Sequence, residues 1–259
     1  MLHNGLEMTF TDYGEGLPIV LLHGLALDRS IWSSVVAAYA SQARFITPDL
    51  RGHGQTPVGQ ADGTLGQIAD DLKALLDALD IPQVCLLGHS MGGYIALEFA
   101  ARYPERLASL VLLTSNVRAD AAEKAKGRLE DAQKVLHGGV PAFAAGMAGR
   151  LTKDLFLAAQ LRSQMETIDP GGLSNILVAI ANRPDQRDLL PNLKVPVLAI
   201  AGADDQISAP AIALEAADLA MRGHKLLLPG VGHMPMLENP LAFGASLISF
   251  QEYYHEPQA

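Results

Sequence analysis

Ser90 lies in Gly88-His89-Ser90-Met91-Gly92-Gly93, a hydroxyl held between glycines at G-x-S-x-G spacing. A serine is a weak nucleophile at neutral pH and needs a base to take its proton and an acid to orient that base. His233, in Gly230-Val231-Gly232-His233, offers the imidazole. Gly202-Ala203-Asp204-Asp205 places two carboxylates between serine and histidine, which is the chain order Ser…Asp…His. Neighbouring side chains leave the backbone in different directions, so only one aspartate can face the histidine. The pattern alone leaves both open. A tetrahedral oxyanion needs two converging donors. The amide of Met91, following the serine, is one candidate, and the amide of Leu25 in His23-Gly24-Leu25 is the other. This set could perform acyl transfer through a serine ester.

These residues work only if elements bring them together. Short apolar runs supply those elements: 19–22 before His23, 44–47 before Pro48-Asp49, 84–87 before Gly88, 110–113 before Thr114, 195–201 before Gly202 and 225–228 before the loop of His233. Runs this short and apolar fit strands buried on both faces, as in a parallel sheet covered by helices. Between them, Ile68, Leu72, Leu75, Leu76 and Leu79 share one helical face. Thr64 with Gln67 forms a capping-box pattern at its start. Ile95, Ala96, Phe99 and Ala100 make a second face, and 210–221 and 240–253 read as further helices. Alternation of this kind predicts an α/β fold with right-handed crossovers. Leu6 to Asp12 alternate enough for an antiparallel edge strand.

The sheet edge explains the motif. A sharp strand-to-helix turn lifts Ser90 above the rim, and glycines at 88 and 92 let neighbouring backbone approach. His23, His53 and His89 stand in glycine loops and read as packing or hydrogen-bonding residues. No histidine pair has metal-ligand spacing with further donors, so no metal is expected.

Composition narrows the class. The chain has 259 residues, 49% hydrophobic and 18% charged, enough for a large core and too apolar for disorder. A net charge of −9 argues against a nucleic-acid partner. No apolar run is long enough to span a bilayer. The single cysteine, Cys85, excludes a disulfide framework and, with no basic-then-apolar leader, suggests the cytoplasm. Residues 117–191 carry ten bases and nine acids, whereas the remainder holds nine and nineteen. The shift marks a helical insertion, a lid, dividing a core domain of residues 1–116 and 192–259.

Together these motifs resemble the α/β-hydrolase superfamily: His23-Gly24, Asp49-Leu50-Arg51-Gly52-His53-Gly54, Gly88 to Gly93, Gly202-x-x-Asp205 and Gly232-His233 with Glu238-x-Pro240. The resemblance implies an α/β-hydrolase fold with a helical lid between the sixth and seventh strands. It also implies Asp205 as the acid, three residues after the glycine. Dehalogenases and epoxide hydrolases of this fold use aspartate where Ser90 stands. Cofactor-free perhydrolases differ around the elbow. The nearest resemblance is to small intracellular carboxylesterases and enol-lactone hydrolases, carried by Asp28-Arg29-Ser30-Ile31-Trp32 and the stretch from Leu228 to His233.

The expected activity is hydrolysis of small carboxylic esters of short or medium acyl or aryl type, with no cofactor, by a monomer or homodimer. Phe143, Met147 and Met234 are candidate substrate contacts, with Leu151, Leu155, Phe156 and Met236 as further apolar candidates. Such a pocket would prefer uncharged esters. A lactonase or carbon–carbon hydrolase using the same triad is the alternative, and would need a carboxylate-binding base among Arg29, Arg150, Arg162, Arg183 and Arg187. A slow-turnover ligand sensor is the reading from another class.

Overall fold

The apolar runs are the strands of a single sheet. In the computed structural model, which describes residues 6–60 and 63–255, they become β2 (Pro18–Leu22), β3 (Arg44–Pro48), β4 (Val84–His89), β5 (Leu107–Leu113), β6 (Val197–Gly202) and β7 (Gly223–Leu228). All six run parallel, so their carboxyl ends share one rim. A seventh strand, β1 (Phe10–Tyr13), pairs antiparallel with β3, and the order is β1-β3-β2-β4-β5-β6-β7. β4 is buried along its whole length, as expected for a central strand covered on both faces. The connections diverge between β2 and β4, the switch point where open α/β sheets leave a crevice. The His23 and Ser90 loops leave from that crevice.

Helices cover both faces. α1 (Ser33–Tyr39) packs against α11 (Pro240–His255), with Trp32 and Phe243 fully buried between the layers. α2 (Leu65–Ala78) starts where the capping pattern places it: the Gln67 amide donates to Thr64 Oγ1 at 3.2 Å. α3 (Met91–Arg102) buries Ile95, Ala96, Phe99 and Ala100. Each large apolar side chain buried this way contributes roughly 1.5–3 kcal/mol.

Four helices stand between β5 and β6: α4 (Ala122–Lys134), α5 (Val140–Leu151), α6 (Leu155–Met165) and α7 (Pro170–Ala181). They follow the fifth strand, not the sixth as expected, because the described sheet has one strand fewer ahead of them. α4 packs on α7 and α5 on α6.

Two further expectations change. The helix foreseen over 210–221 divides into α8 (Pro210–Ala213) and α9 (Glu215–Leu219), because the Ala217 amide turns back to the Leu214 carbonyl and breaks the spiral. The edge strand is shorter than Leu6 to Asp12. Leu6 and Met8 are buried in the core, and the Thr9 amide donates to Thr56 Oγ1. The expectation of no leader rests on residues 1–5, which lie outside the described ones, as do the outermost residues of the core-domain bounds. Among the described residues, no helix is long and apolar enough to cross a membrane.

Candidate active site

The turn after β4 is as sharp as the glycine spacing requires. Ser90 has φ +51° and ψ −112°, a conformation that side-chain-bearing residues rarely adopt and that persists only where surroundings enforce it. The close approach explains the glycines. A Cβ on residue 92 would meet the Leu22 and His23 carbonyl oxygens at 2.6 and 2.8 Å, and one on residue 88 would collide with the Gly92 backbone. The Ser90 amide is fixed by the Leu113 carbonyl at 2.9 Å, and its own carbonyl accepts from Ser115 Oγ at 2.7 Å. Met91 is the first residue of α3, so its amide has no acceptor within the helix.

His233 sits in the loop between β7 and α10 (Pro235–Glu238), buried to 2% exposure. Its Nδ1–H donates to Asp205 Oδ2 at 2.8 Å. The other carboxylate oxygen, Oδ1, accepts from the amides of Ile207 at 2.7 Å and Ser208 at 3.1 Å. Asp205 is therefore saturated and aimed at the imidazole. Asp204 is half-exposed and lies 3.6 Å from Lys153 Nζ. Adjacent in sequence, the two aspartates separate as the chain geometry demands. A proton held at Nδ1 leaves Nε2 as the acceptor nitrogen.

The His233 backbone is held as well. Its carbonyl accepts from His89 Nε2 at 2.9 Å and from Thr114 Oγ1 at 3.1 Å. Thr114 itself has φ +45°. Of the two roles the sequence leaves open for His89, packing or hydrogen bonding, the structure shows the hydrogen bond, whereas Thr114 has no motif around it to mark its role. Burial, then the nearby His233 imidazole, pushes the His89 pKa well below its ordinary value, so His89 is a neutral donor. His23 is similarly neutral: burial lowers it to about 4, and its Nε2 accepts the Leu50 amide at 3.0 Å.

A cavity of about 350 Å³ joins these groups. Ser90, His233, Leu25 and Met91 all line it, as do Phe143 and Met147 from α5. Met234 does not: one residue past the imidazole, it is fully buried in the core. Met236 is likewise in the core, whereas Leu155 and Phe156 project into solvent, 86% and 74% exposed. Helical spacing identifies an apolar face without saying what covers it.

The lining is more charged than expected. Lys124, Arg128 and Arg150 border the cavity, against one carboxylate, Asp131. Arg128 and Lys124 both turn to Asp120, which also takes Arg183. Burial works against the Asp120 charge, yet Arg183 and Arg128 outweigh it and hold the carboxyl at about 2. Lys124 is pushed below its usual value by burial, against the attraction of Asp120 and with the repulsion of Arg128 and Arg183. The other basic candidates are engaged elsewhere: Arg29 with Asp49, Arg162 with Glu166, Arg187 with Asp185. Among the described residues no cluster of three or more His, Cys, Asp or Glu could hold a metal.

Comparison with known proteins bears on the fold. Residues 18–185 match the family described as alpha/beta hydrolase fold. A thermophilic esterase of Thermogutta terrifontis, solved with malate bound, is 33% identical, with a TM-score of 0.93 over 96% of this chain and 94% of that one. The enol-lactonase of Burkholderia xenovorans is 28% identical, with a TM-score of 0.85 over 95% and 97%. A bromoperoxidase of Bacillus anthracis, 22% identical over 95% and 96% with a TM-score of 0.85, shares the fold alone, so the fold does not set that group apart. Uncharacterized mycobacterial proteins are 36% identical over 112 residues, 43% of this chain, which spans only 33% of their length.

Proposed function

Because the chain belongs to the α/β-hydrolase fold family, we propose that it hydrolyses carboxylic esters of short or medium acyl or aryl type through a covalent acyl-enzyme. The observation that carries this reading is the 2.8 Å bond from His233 Nδ1–H to Asp205, with His233 and Ser90 lining one cavity; the bond at Nδ1 leaves Nε2 as the nitrogen able to accept a proton. Ser90 Oγ attacks the ester carbonyl while Nε2 takes its proton. The amides of Leu25 and Met91 hold the oxyanion as the tetrahedral intermediate forms. Collapse breaks the carbon–oxygen bond, and His233 returns the proton to the departing alcohol. Water, deprotonated by the same nitrogen, then cleaves the acyl-serine, and the second collapse regenerates Ser90. Asp205 orients the imidazole and stabilises the imidazolium. No step calls for a cofactor. The helices within residues 117–191 act as the lid of this site, with Phe143 and Met147 against the acyl or aryl group.

A lactonase reading is favoured by one specific finding, the enol-lactonase among the structural neighbours. A lactone differs from an ester only in keeping its leaving group tethered, and the same residues would serve. The test of both is a panel of p-nitrophenyl esters and lactones run on the wild type and on Ser90→Ala, with fluorophosphonate labelling followed by mass spectrometry. Labelling at Ser90 and a loss of at least about 10³-fold in Ser90→Ala are expected. A residual rate close to wild type ends the proposal.

A further inference from the structure

The charge of the cavity lining narrows the substrate further, and the argument rests on the hydrolase reading above. Arg150 is placed at the last turn of α5, where the helix carboxyl end favours a cation. That accounts for its type but not for its company. Every other arginine in the chain meets a carboxylate or, for Arg222, the Tyr254 ring. Among the described residues, Arg150 alone meets neither. It borders three cavities, and His233 lines two of them. In a chain of net charge −9 the cavity that contains Ser90 carries three cations and one acid, and that acid, Asp131, is taken by Lys134 at 3.2 Å. Two of the cations, Lys124 and Arg128, share the single buried carboxylate of Asp120 with Arg183. The lining therefore holds uncompensated positive charge, and its one unengaged guanidinium, a planar fork of donors suited to a carboxylate, stands in the wall shared with Ser90.

We propose that Arg150 binds a free carboxylate on the substrate, so that the preferred substrates are anionic: half-esters of dicarboxylic acids, or lactones bearing a carboxylate. Phe143 and Met147, on the same helix and in the same cavity, would cover the methylene chain between the two ends. Lys124 and Arg128 add attraction without a dedicated bond. The preference is opposite to the one that an apolar lid would impose.

The experiment compares initial rates on methyl hydrogen succinate, glutarate and adipate with those on the corresponding dimethyl esters, in wild type, Arg150→Met and Arg150→Lys. The best half-ester should exceed its dimethyl partner at least 10-fold in kcat/KM in the wild type. Arg150→Met should lower kcat/KM for half-esters 10- to 100-fold, mainly through KM, and leave dimethyl esters within 2-fold. Arg150→Lys should fall between, and added salt should raise KM for half-esters alone. Equal losses on both ester types, or a wild-type preference for the dimethyl esters, overturns the proposal. Calorimetric titration of adipate into wild type and Arg150→Met tests the carboxylate site apart from chemistry. Weakening of at least 10-fold supports it, and unchanged or undetectable binding in the wild type overturns it. Failure of Ser90 to take a fluorophosphonate label would instead sink the nucleophile assignment, and the adipate titration would still decide the role of Arg150.

Discussion

Both carboxylate oxygens of Asp205 are committed, one to the amides of Ile207 and Ser208 and one to His233 Nδ1–H. Replacing it by asparagine keeps the shape and changes what the imidazole meets. An amide N–H facing Nδ1 favours the tautomer that carries its proton on Nε2, which then cannot accept from serine. Asp205→Asn should lose about 10³–10⁴-fold in kcat with little change in KM, whereas Asp204→Asn should stay within about 2-fold; steady-state kinetics on a p-nitrophenyl ester check both. The His233 carbonyl has two side-chain donors, so removing either leaves the other. His89→Gln and Thr114→Val should each cost about 0.5–1.5 kcal/mol in transition-state stabilisation, and the double variant more than their sum. A double-mutant cycle in kcat/KM that proves strictly additive would show the two donors to be independent. Ser90 and His233 were readable in sequence because glycines mark the close approaches around them. Thr114 was not, because a lone threonine after a strand looks the same whether or not its hydroxyl reaches a loop more than a hundred residues away.

Glycine-to-alanine changes test the elements, and the sign depends on what surrounds the new methyl group. At residue 92 the obstacles are the carbonyl oxygens at the end of β2, which cannot turn aside as a flexible side chain would. Gly92→Ala should destabilise the fold by about 1–3 kcal/mol, read as a lower melting temperature, and reduce turnover further because the displaced backbone leads to Leu25. Gly146, inside α5, has nothing within 4 Å of the same position. There the methyl removes freedom from the unfolded chain and restores helix propensity, so Gly146→Ala should raise stability by about 0.5–1 kcal/mol in urea unfolding, and a decrease would contradict an open helix surface at that point. The central parallel strands were legible because a strand buried on both faces must be apolar along its run, but their ends were less so, since β4 continues through Gly88 and His89 and β6 takes in Gly202. The helices of residues 122–181 were legible only as a region. Their composition says helix, but the same spacing places Ala144 in the core and leaves Phe156 in solvent, since which face is covered depends on packing that no local pattern encodes.

At the scale of the molecule, the protein stores neutral histidines in its interior, and this sets its tolerance of acid. His23, His53 and His89 are all buried. Burial, the leading cause for each, lowers His23 to about 4, His53 to about 3, and His89 well below its ordinary value. In the unfolded chain each returns to about 6.5. Below that pH the unfolded state takes up protons that the folded state refuses, so the stability these groups confer is fully present above about 6.5 and drains away as the pH falls toward 4. Each contributes about 1.4 kcal/mol per pH unit, so the three together give a slope of about 4 kcal/mol per unit. Against a total stability of about 5–15 kcal/mol for a domain, a loss at that rate brings the net stability to zero within a few pH units of neutrality. Asp120, held at about 2 chiefly by Arg183 and Arg128 against its own burial, is lost only later, as the pH falls below about 3.8, and sharpens the end of the same transition. Urea unfolding at pH 7.5, 6.0 and 5.0 should therefore show a steadily falling midpoint below 6.5, with a slope about one third shallower in a His53→Gln variant that still folds. A midpoint that holds constant from pH 7.5 to 5.0 would mean that these imidazoles protonate within the folded protein, and that the interior around the Ser90 turn is wetter or more yielding than its burial implies.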